Sequence, residues 1–194
     1  MIDASEFTSE SIPSHDAGLL VISQSGETKD VHRCVSTATK AGIPVFSVVN
    51  AVGSLIARST KCGVYLNAGR EHAVASTKAF TTQVTVLALI ANWFAQQHNH
   101  EEQKRRRLIE ALRRLPSSIK TTIKLQTQCQ SIAKKIINAE HCFLLGKGLS
   151  EPIAREGALK IKEITYIHAE GYAGGALKHG PFALITPGTP IILS

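Results

Sequence analysis

The most constraining feature of this chain is a short apolar run followed by a polar turn and then a helical pattern. Residues 19–22 (LLVI) predict a buried strand, and the periodicity of residues 29–40 predicts a helix. The turn between them, residues 23–28, has the sequence SQSGET. At such a junction the first helical N–H groups lack partners within the helix, and the helix dipole is positive. The chain is therefore expected to be organised around strand–turn–helix units.

The 23–28 turn carries several groups that can donate hydrogen bonds to an anion. Ser23, Ser25 and Thr28 supply hydroxyl groups, and Gln24 supplies an amide. Gly26 allows the backbone to approach a ligand closely. Together with the start of a helix, these groups predict a site for a phosphate dianion. The alternative is that Ser25 or Thr28 caps the helix, and this turn alone does not choose between them.

The rest of the first half alternates strand and helix patterns. Further strands are predicted at residues 43–49 and 63–67, and helices at residues 55–58 and 76–97. Nearly continuous apolar strands in this order are typical of parallel sheets. The predicted fold class is therefore α/β, with a parallel sheet flanked by helices on both faces.

The composition changes after residue 100. Residues 101–114 are rich in arginine and lysine, Pro116 is expected to break the helix, and a second polar helix is predicted at residues 118–138. The basic run has no interleaved aromatic residues, so a solvated helix face is favoured over a nucleic-acid surface. The net charge of +7 favours anionic partners in general.

A second strand–turn–helix unit follows, with a strand at residues 141–145, a turn at residues 146–150 and a helix to about Tyr166. The predicted organisation is thus a first lobe at residues 1–100, a helical linker at 101–138 and a second lobe at 139–194. The G-x-G of the second turn does not extend to a dinucleotide fingerprint, so no nucleotide cofactor is predicted.

The helix of the second unit carries charged residues at i, i+4 and i+7. Glu156, Lys160 and Glu163 share one face, where an ammonium group can keep a carboxylate ionised for proton transfer. An ordinary exposed ion pair is the alternative. His179 lies in a glycine-containing loop and is either a titratable functional group or a structural residue.

Several classes of function are disfavoured. The cysteines, Cys34, Cys62, Cys129 and Cys142, form no C-x-x-C pair, which favours free thiols and a cytoplasmic location. The longest apolar stretch, residues 84–95, is too short to span a bilayer. No spacing of histidine, cysteine and carboxylate residues suits a metal, so neither a metal nor a membrane partner is predicted.

Five stretches together resemble the sugar isomerase (SIS) domains of the glucosamine-6-phosphate synthase family. They are residues 23–28, 67–69 with 74–83, 156–163, 166–170 and 177–181, and they occur in the family's order over nearly the whole chain. The resemblance implies flavodoxin-like lobes. It also implies the chemistry of the glutamine–fructose-6-phosphate aminotransferases (isomerizing), which make glucosamine 6-phosphate and glutamate from fructose 6-phosphate and glutamine.

The resemblance also implies roles for individual residues. Those matching the family's phosphate loop and sugar-contacting strip are Ser23, Gln24, Ser25, Thr28, Val74 and Ser76. Glu163 matches the base that moves a proton between C1 and C2, with Lys160 and Glu156 as its charged neighbours. His179 matches the ring-opening histidine, which the partner subunit of a homodimer supplies.

The chain also departs from the family pattern. A glutaminase domain, the first strand of the first lobe and the tail that carries the Schiff-base lysine are not matched, and the chain is expected to enter near the second strand, at residues 4–7. Ala176 stands where the family carries a glutamate. A fragment that binds fructose 6-phosphate or glucosamine 6-phosphate but is inactive alone is therefore expected. The alternatives are a non-catalytic sugar-phosphate-binding module and, ranked last, a nucleic-acid binder.

Overall fold

A computed structural model describes residues 1–13 and 16–194, which form two compact units, Met1–Arg113 and Arg114–Ser194. Each unit contains a three-stranded parallel sheet with helices packed against it. The predicted α/β class with parallel sheets flanked by helices is confirmed. The division at residues 100 and 138 stays a prediction.

The sheet of the first unit has the order β1-β2-β3. The strands are β1 (Leu19–Ser23), β2 (Val45–Val49) and β3 (Gly63–Tyr65), and the helices are α1 (Lys29–Lys40), α2 (Leu55–Ser59) and α3 (Lys78–Gln97). Every element predicted between residues 19 and 97 is present, with ends that differ by at most two residues. In parallel strands the carboxyl ends share one edge of the sheet, so the loops after β1, β2 and β3 all begin there.

The core of this unit lies between the sheet and helices α1 and α2. Val21 and Val49 from the sheet pack with Val35 of α1 and Ile56 of α2, and all four are almost fully buried. Side chains on the other face of the sheet, such as Leu20 and Phe46, remain about 40% exposed. The packing against α1 and α2 therefore holds the 23–28 loop in place.

The outer edge of β1 faces a cavity of about 820 Å³. Leu19 donates its N–H toward β2, to Pro44 O at 2.9 Å, so the backbone groups of Leu20 and Ile22 point away from β2. Residues of the N-terminal segment, including Ile2 and Phe7, form the opposite wall. Within residues 1–13 and 16–194, no strand pairs with this edge.

The strand expected at residues 4–7 is wrong, because Asp3 stabilises a turn there. The Asp3 carboxylate accepts the N–H of Ser5 at 2.9 Å and its hydroxyl at 2.7 Å. These bonds also lower the pKa of Asp3. Such side-chain bonds compete with strand pairing. Arg33 of α1 holds the segment by donating to Ala4 O and Ser5 O.

The break expected at Pro116 is also wrong, because α4 (Glu102–Ile123) continues through this proline. Proline removes one N–H and leaves the Leu112 carbonyl without its usual partner. This carbonyl can bind water, because α4 contains no buried residue. The helix ends at Ile123, and α5 follows at Gln126–Ile136, also without a buried residue. Both helices have other bounds than the predicted pair, and their lack of buried residues agrees with the solvated face favoured for the basic run.

The sheet of the second unit has the order β5-β4-β6. Its elements are β4 (His141–Gly146), α6 (Ser150–Thr165), β5 (His168–Ala173) and β6 (Ile191–Leu193), with short 3-10 turns at Leu177–His179 and Pro181–Leu184. β5 was not predicted as a strand. Helix α6 lies so close to β5 that a Cβ at Gly171 would overlap the Arg155 backbone, so the packing requires a glycine there.

Candidate functional site

The 23–28 loop begins at the carboxyl end of β1 and is ordered by its own hydroxyl groups. Ser23 Oγ accepts the N–H of Gly26 at 3.0 Å, and Ser25 Oγ accepts the N–H of Glu27 at 3.2 Å. Ser23 and Thr28 share a hydrogen bond at 3.4 Å. Because Ser25 uses its oxygen as an acceptor, its hydroxyl hydrogen is available to a ligand.

The start of α1 has no side-chain cap. Thr28 is the N-cap residue, but its side chain makes no capping bond, and Ser25 bonds to Glu27 instead. The first bond of the helix runs from His32 N to Thr28 O. In the described part of the chain, the N–H groups of residues 29–31 therefore have no partner. The capping alternative is wrong, and free donors remain at the positive end of the helix.

The shape of this loop depends on Gly26 and on contacts with α2. Gly26 has a φ of +67°, in the region that favours glycine, and a Cβ there would overlap the side chain of Ser54. Gly26 O accepts the N–H of Ile56 at 2.9 Å, and the Glu27 carboxylate accepts the N–H of Leu55 at 2.9 Å. The loop is thus fixed to a helix that belongs to the core.

A second loop, residues 67–77, follows β3 and carries the predicted sugar-contacting residues. The Val74 side chain is fully exposed and Ser76 is half-buried. The side chain of Asn50, which directly follows β2, donates to Gly69 O at 2.7 Å and accepts the N–H of Ala68 at 3.0 Å. These bonds attach the beginning of the 67–77 loop to the end of β2.

The other end of the 67–77 loop is held by Glu71. Its carboxylate accepts the N–H of Ala79 at 2.8 Å, the N–H of Thr77 at 3.0 Å and the Thr77 hydroxyl at 3.2 Å. The bond from Ala79 is the largest cause that lowers the pKa of Glu71. The start of α3 therefore already holds a carboxylate, whereas the start of α1 is open.

In the second unit, Lys160 of α6 lies between two carboxylates. Its Nζ is 2.6 Å from Glu163 Oε2 and 3.5 Å from Glu156 Oε1. Partial burial lowers the pKa of Lys160, but the bonds and charges of Glu163 and Glu156 outweigh it and raise the pKa above its usual value. Lys160 is thus kept charged, and Glu163 retains a second carboxylate oxygen outside its bond to Lys160.

His179 ends the 3-10 turn Leu177–His179 and is exposed. The backbone N–H of His179 donates to Ala176 O at 3.0 Å. Among the described residues its imidazole ring has no hydrogen-bond partner. Ala176 stands where a glutamate was expected. It can form hydrogen bonds with this turn only through its backbone.

Two residues of the site, Asn50 and Glu71, were not singled out from the sequence. Asn50 carries a usable signal, because it is a polar residue directly after a predicted parallel strand, as Ser23 is. Glu71 carries no such sequence signal, because its hydrogen-bond partners are residues 77 and 79, across an irregular loop.

Several further sequence predictions concern absences. All four cysteines are free. In the part of the chain that the structure describes, no group of three or more histidine, cysteine or acidic side chains is placed to hold a metal. None of the helices described here is both long and apolar enough to cross a membrane.

Comparison with known proteins decides the family. The model of the SIS domain matches residues 1–92 and 135–193, which together make up most of the chain. The chain belongs to the SIS domain family. Both matched segments include a strand–turn–helix unit, so the SIS match covers the 23–28 loop as well as α6.

The relatives of this SIS chain agree with the resemblance drawn from its motifs. A glutamine–fructose-6-phosphate aminotransferase (isomerizing) of Bacteroides thetaiotaomicron is 42% identical over 183 residues, 94% of this chain and 30% of that protein. That of Aquifex aeolicus is 39% identical over 100% of this chain and 32% of its own length. This SIS chain therefore spans about a third of the length of these relatives.

A solved structure shows the same SIS architecture. The C-terminal domain of glucosamine-fructose-6-phosphate aminotransferase from Francisella tularensis superposes with a TM-score of 0.86 and is 37% identical. The match covers 95% of this chain and 54% of that one. The predicted resemblance to glucosamine-6-phosphate synthase is confirmed by these comparisons.

Proposed function

We propose that this SIS chain binds a phosphorylated sugar, fructose 6-phosphate or glucosamine 6-phosphate, with the phosphate in the 23–28 loop. The observation that carries the proposal is the contrast between two helix starts in the first unit. The N–H groups of residues 29–31 are open and lie next to the hydroxyls of Ser25 and Thr28, whereas Glu71 occupies the start of α3. An anion gains from free N–H groups and from the dipole at the first site and is repelled by a carboxylate at the second.

The sugar end of the ligand is assigned to the 67–77 loop. The loops that follow β1 and β3 begin at the same edge of the sheet. Val74 contributes backbone groups, and Ser76 contributes its hydroxyl. This assignment gives the ligand a phosphate at one end and hydroxyl groups at the other.

The proposed chemistry lies in the second unit. Glu163 takes a proton from the carbon next to the carbonyl or imine of an open-chain sugar, and returns it to the neighbouring carbon. Its Oε2 is held by Lys160, so its other oxygen is the one that accepts the proton. The positive charge of Lys160 favours the ionised base, Glu156 keeps Lys160 in place, and His179 serves the ring hydroxyl groups.

This set corresponds to the isomerase half of a glutamine–fructose-6-phosphate transaminase (isomerizing) in hexosamine synthesis. In that role the protein works in the cytoplasm as a homodimer, whose partner subunit supplies the histidine. The residues named here account for binding and for proton transfer, and the proposal assigns none of them to ammonia release or to Schiff-base formation.

A non-catalytic sugar-phosphate-binding module is the second candidate. It is favoured by His179, whose exposed imidazole lacks a partner in the described residues, and by Ala176 beside it. Both candidates require the phosphate site, and only the first requires Glu163.

The test is a thermal-shift titration with fructose 6-phosphate and glucosamine 6-phosphate, with inorganic phosphate and fructose as controls. A ligand that binds only the folded state raises the melting temperature. Ser25→Ala should weaken sugar-phosphate binding about tenfold, because a bond to a charged group is lost. Ser131→Ala, an exposed serine of α5, is the matched control. The absence of any shift with either sugar phosphate would contradict the proposal.

Isomerisation is tested separately. Exchange of the C1 or C2 hydrogen of the sugar with solvent is followed by NMR in the dimeric protein, and Glu163→Gln should abolish exchange while the ligand still binds. Exchange at the wild-type rate in Glu163→Gln would remove Glu163 from the base role. Binding without exchange in the wild type would select the second candidate.

A further inference from the structure

Asn50 connects the two loops of the proposed sugar-phosphate site. Its backbone N–H and that of Ala51 both donate to Gln24 O, at 3.3 Å each. Its side chain bonds to the N–H of Ala68 and to the carbonyl of Gly69, at 3.0 and 2.7 Å. One residue therefore contacts the 23–28 loop through its backbone and the 67–77 loop through its side chain.

The 67–77 loop has an irregular backbone where the Asn50 side chain contacts it. Asn67 has a φ of +53° and Gly69 a φ of +70°, so two nearby residues are left-handed. Glycine and asparagine are residue types that adopt this conformation readily, so the local sequence is compatible with the turn. The Asn50 amide accepts the N–H of Ala68, which lies between them, and donates to the carbonyl of Gly69 itself. An aspartate of the same size could accept the Ala68 N–H but, when ionised, could not donate to Gly69 O.

We propose that Asn50 is a positioning residue that fixes the distance between the phosphate end and the sugar end of the site. The inference rests on the proposed function, because it assigns the two loops to the two ends of one ligand. In this proposal Asn50 contacts the two loops and not the ligand. It lets a ligand that carries both a phosphate and sugar hydroxyls gain from both loops at once, whereas inorganic phosphate uses the 23–28 loop alone.

The experiment compares two ligands on three proteins. Dissociation constants of fructose 6-phosphate and of inorganic phosphate are measured by calorimetry for the wild type, for Asn50→Ala and for Asn138→Ala, an asparagine of the second unit. For Asn50→Ala the sugar-phosphate constant should rise about tenfold, while the phosphate constant stays within twofold. Asn138→Ala should change neither.

The outcomes separate the inference from the function on which it rests. If the wild type binds fructose 6-phosphate no more tightly than phosphate, the proposed function fails. If the wild type does prefer the sugar phosphate and Asn50→Ala keeps that preference, the positioning role fails. A loss of affinity for both ligands in equal proportion would also overturn it, because that is the result of a purely structural role.

A second variant keeps the test valid if Asn50→Ala does not fold. Asn50→Asp should lose sugar-phosphate preference at pH 7, because an ionised carboxylate can accept the Ala68 N–H but cannot donate to Gly69 O. A wild-type preference for the sugar phosphate in Asn50→Asp would refute the role of this hydrogen bond.

Hydrogen exchange gives a measurement that needs no ligand. The Ala68 N–H should exchange faster in Asn50→Ala, while the Leu66 N–H, bonded to Val49 O at 2.9 Å, keeps its protection. Unchanged protection of Ala68 would show that the side chain of Asn50 does not hold the loop.

Discussion

Gly26→Ala tests whether the 23–28 loop has the shape described here. Gly26 has a φ of +67°, and a Cβ at this position would overlap the Oγ and Cβ of Ser54. The substitution therefore adds two separate costs. The left-handed backbone costs about 1–2 kcal/mol with a side chain present. Overpacking against Ser54 costs about 1–3 kcal/mol more.

The chain contains a control for the first cost alone. Gly53 has a φ of +71°, and nothing lies within 4 Å of the position that its Cβ would take. Gly53→Ala should lower the free energy of unfolding by about 1–2 kcal/mol. Gly26→Ala should lower it by the sum of both costs, about 2–5 kcal/mol.

The second cost is isolated with Ser54→Gly. In this background the overlap is removed, and the remaining neighbour of the added Cβ, Val49, is at an ordinary distance of 3.8 Å. Ser54 Oγ is buried and has no partner in the described residues, so the background itself loses no hydrogen bond. Gly26→Ala should then cost only the backbone term, and the two sites should show a coupling of about 1–3 kcal/mol.

Urea unfolding followed by circular dichroism is measured for the wild type, for the three single variants and for the Gly26→Ala/Ser54→Gly double variant, and the phosphate affinity of each is measured in parallel. A loss of stability in Gly26→Ala no larger than that in Gly53→Ala would contradict the overlap with Ser54. This overlap is also refuted if the coupling between residues 26 and 54 is absent. Normal phosphate binding by Gly26→Ala, at full stability, would count against the loop as the binding site.

Three further substitutions address other parts of the molecule. Lys160→Met should lower the free energy of unfolding by about 1 kcal/mol near neutral pH, because Glu156 and Glu163 then lack their cation. Because the pKa of Lys160 is raised, its contribution to the free energy of unfolding is complete below pH 10.5 and is lost as the pH rises through the pKa of the folded state. The loss of stability at alkaline pH should therefore be smaller in Lys160→Met, and an identical loss would contradict the pairing. The lowered pKa of Glu71 means that its contribution to stability is present above the pKa of the unfolded state and is lost as the pH falls through the folded pKa. Glu71→Gln should lower the free energy of unfolding by about 1 kcal/mol at pH 7 and by nothing once Glu71 is protonated in both states. An equal cost at pH 3 would refute the role of Glu71 as a cap. Pro116→Ala should raise thermal stability, since alanine is favoured over proline within a helix by about 3 kcal/mol; a lower melting temperature would show that the proline is needed.

The elements best predicted from the sequence are those whose own residues carry the signal. Helix α1 begins at Lys29 and ends at Lys40, as predicted, because its periodicity is followed by Gly42, which has a φ of +75°. The buried strands β1 and β4 were likewise evident from continuous apolar residues. In these segments local preference and tertiary packing agree.

The strand that was missed, β5, depends on a partner distant in sequence. β5 contains histidine, glutamate and glycine and forms through pairing with β4, from His141↔His168 to Gly146↔Ala173. The turn at Asp3 depends on two bonds that its carboxylate accepts from Ser5, and the passage of α4 through Pro116 depends on solvent around an exposed helix. Of the candidate site, motifs indicated the 23–28 loop and the charged residues of α6, but not the side chains of Asn50 and Glu71 that hold the 67–77 loop.

The outer edge of β1 bears on how the protein behaves when concentrated. The N–H and C=O groups of Leu20 and Ile22 face a cavity and have no strand beside them in the described residues, and their side chains are about 40% exposed. Exposed edges of this kind can pair with the edge of another molecule. We therefore expect the tendency to precipitate to rise with protein concentration, and a lysine at position 20 or 22 to improve solubility without changing the loops at the carboxyl end of the sheet.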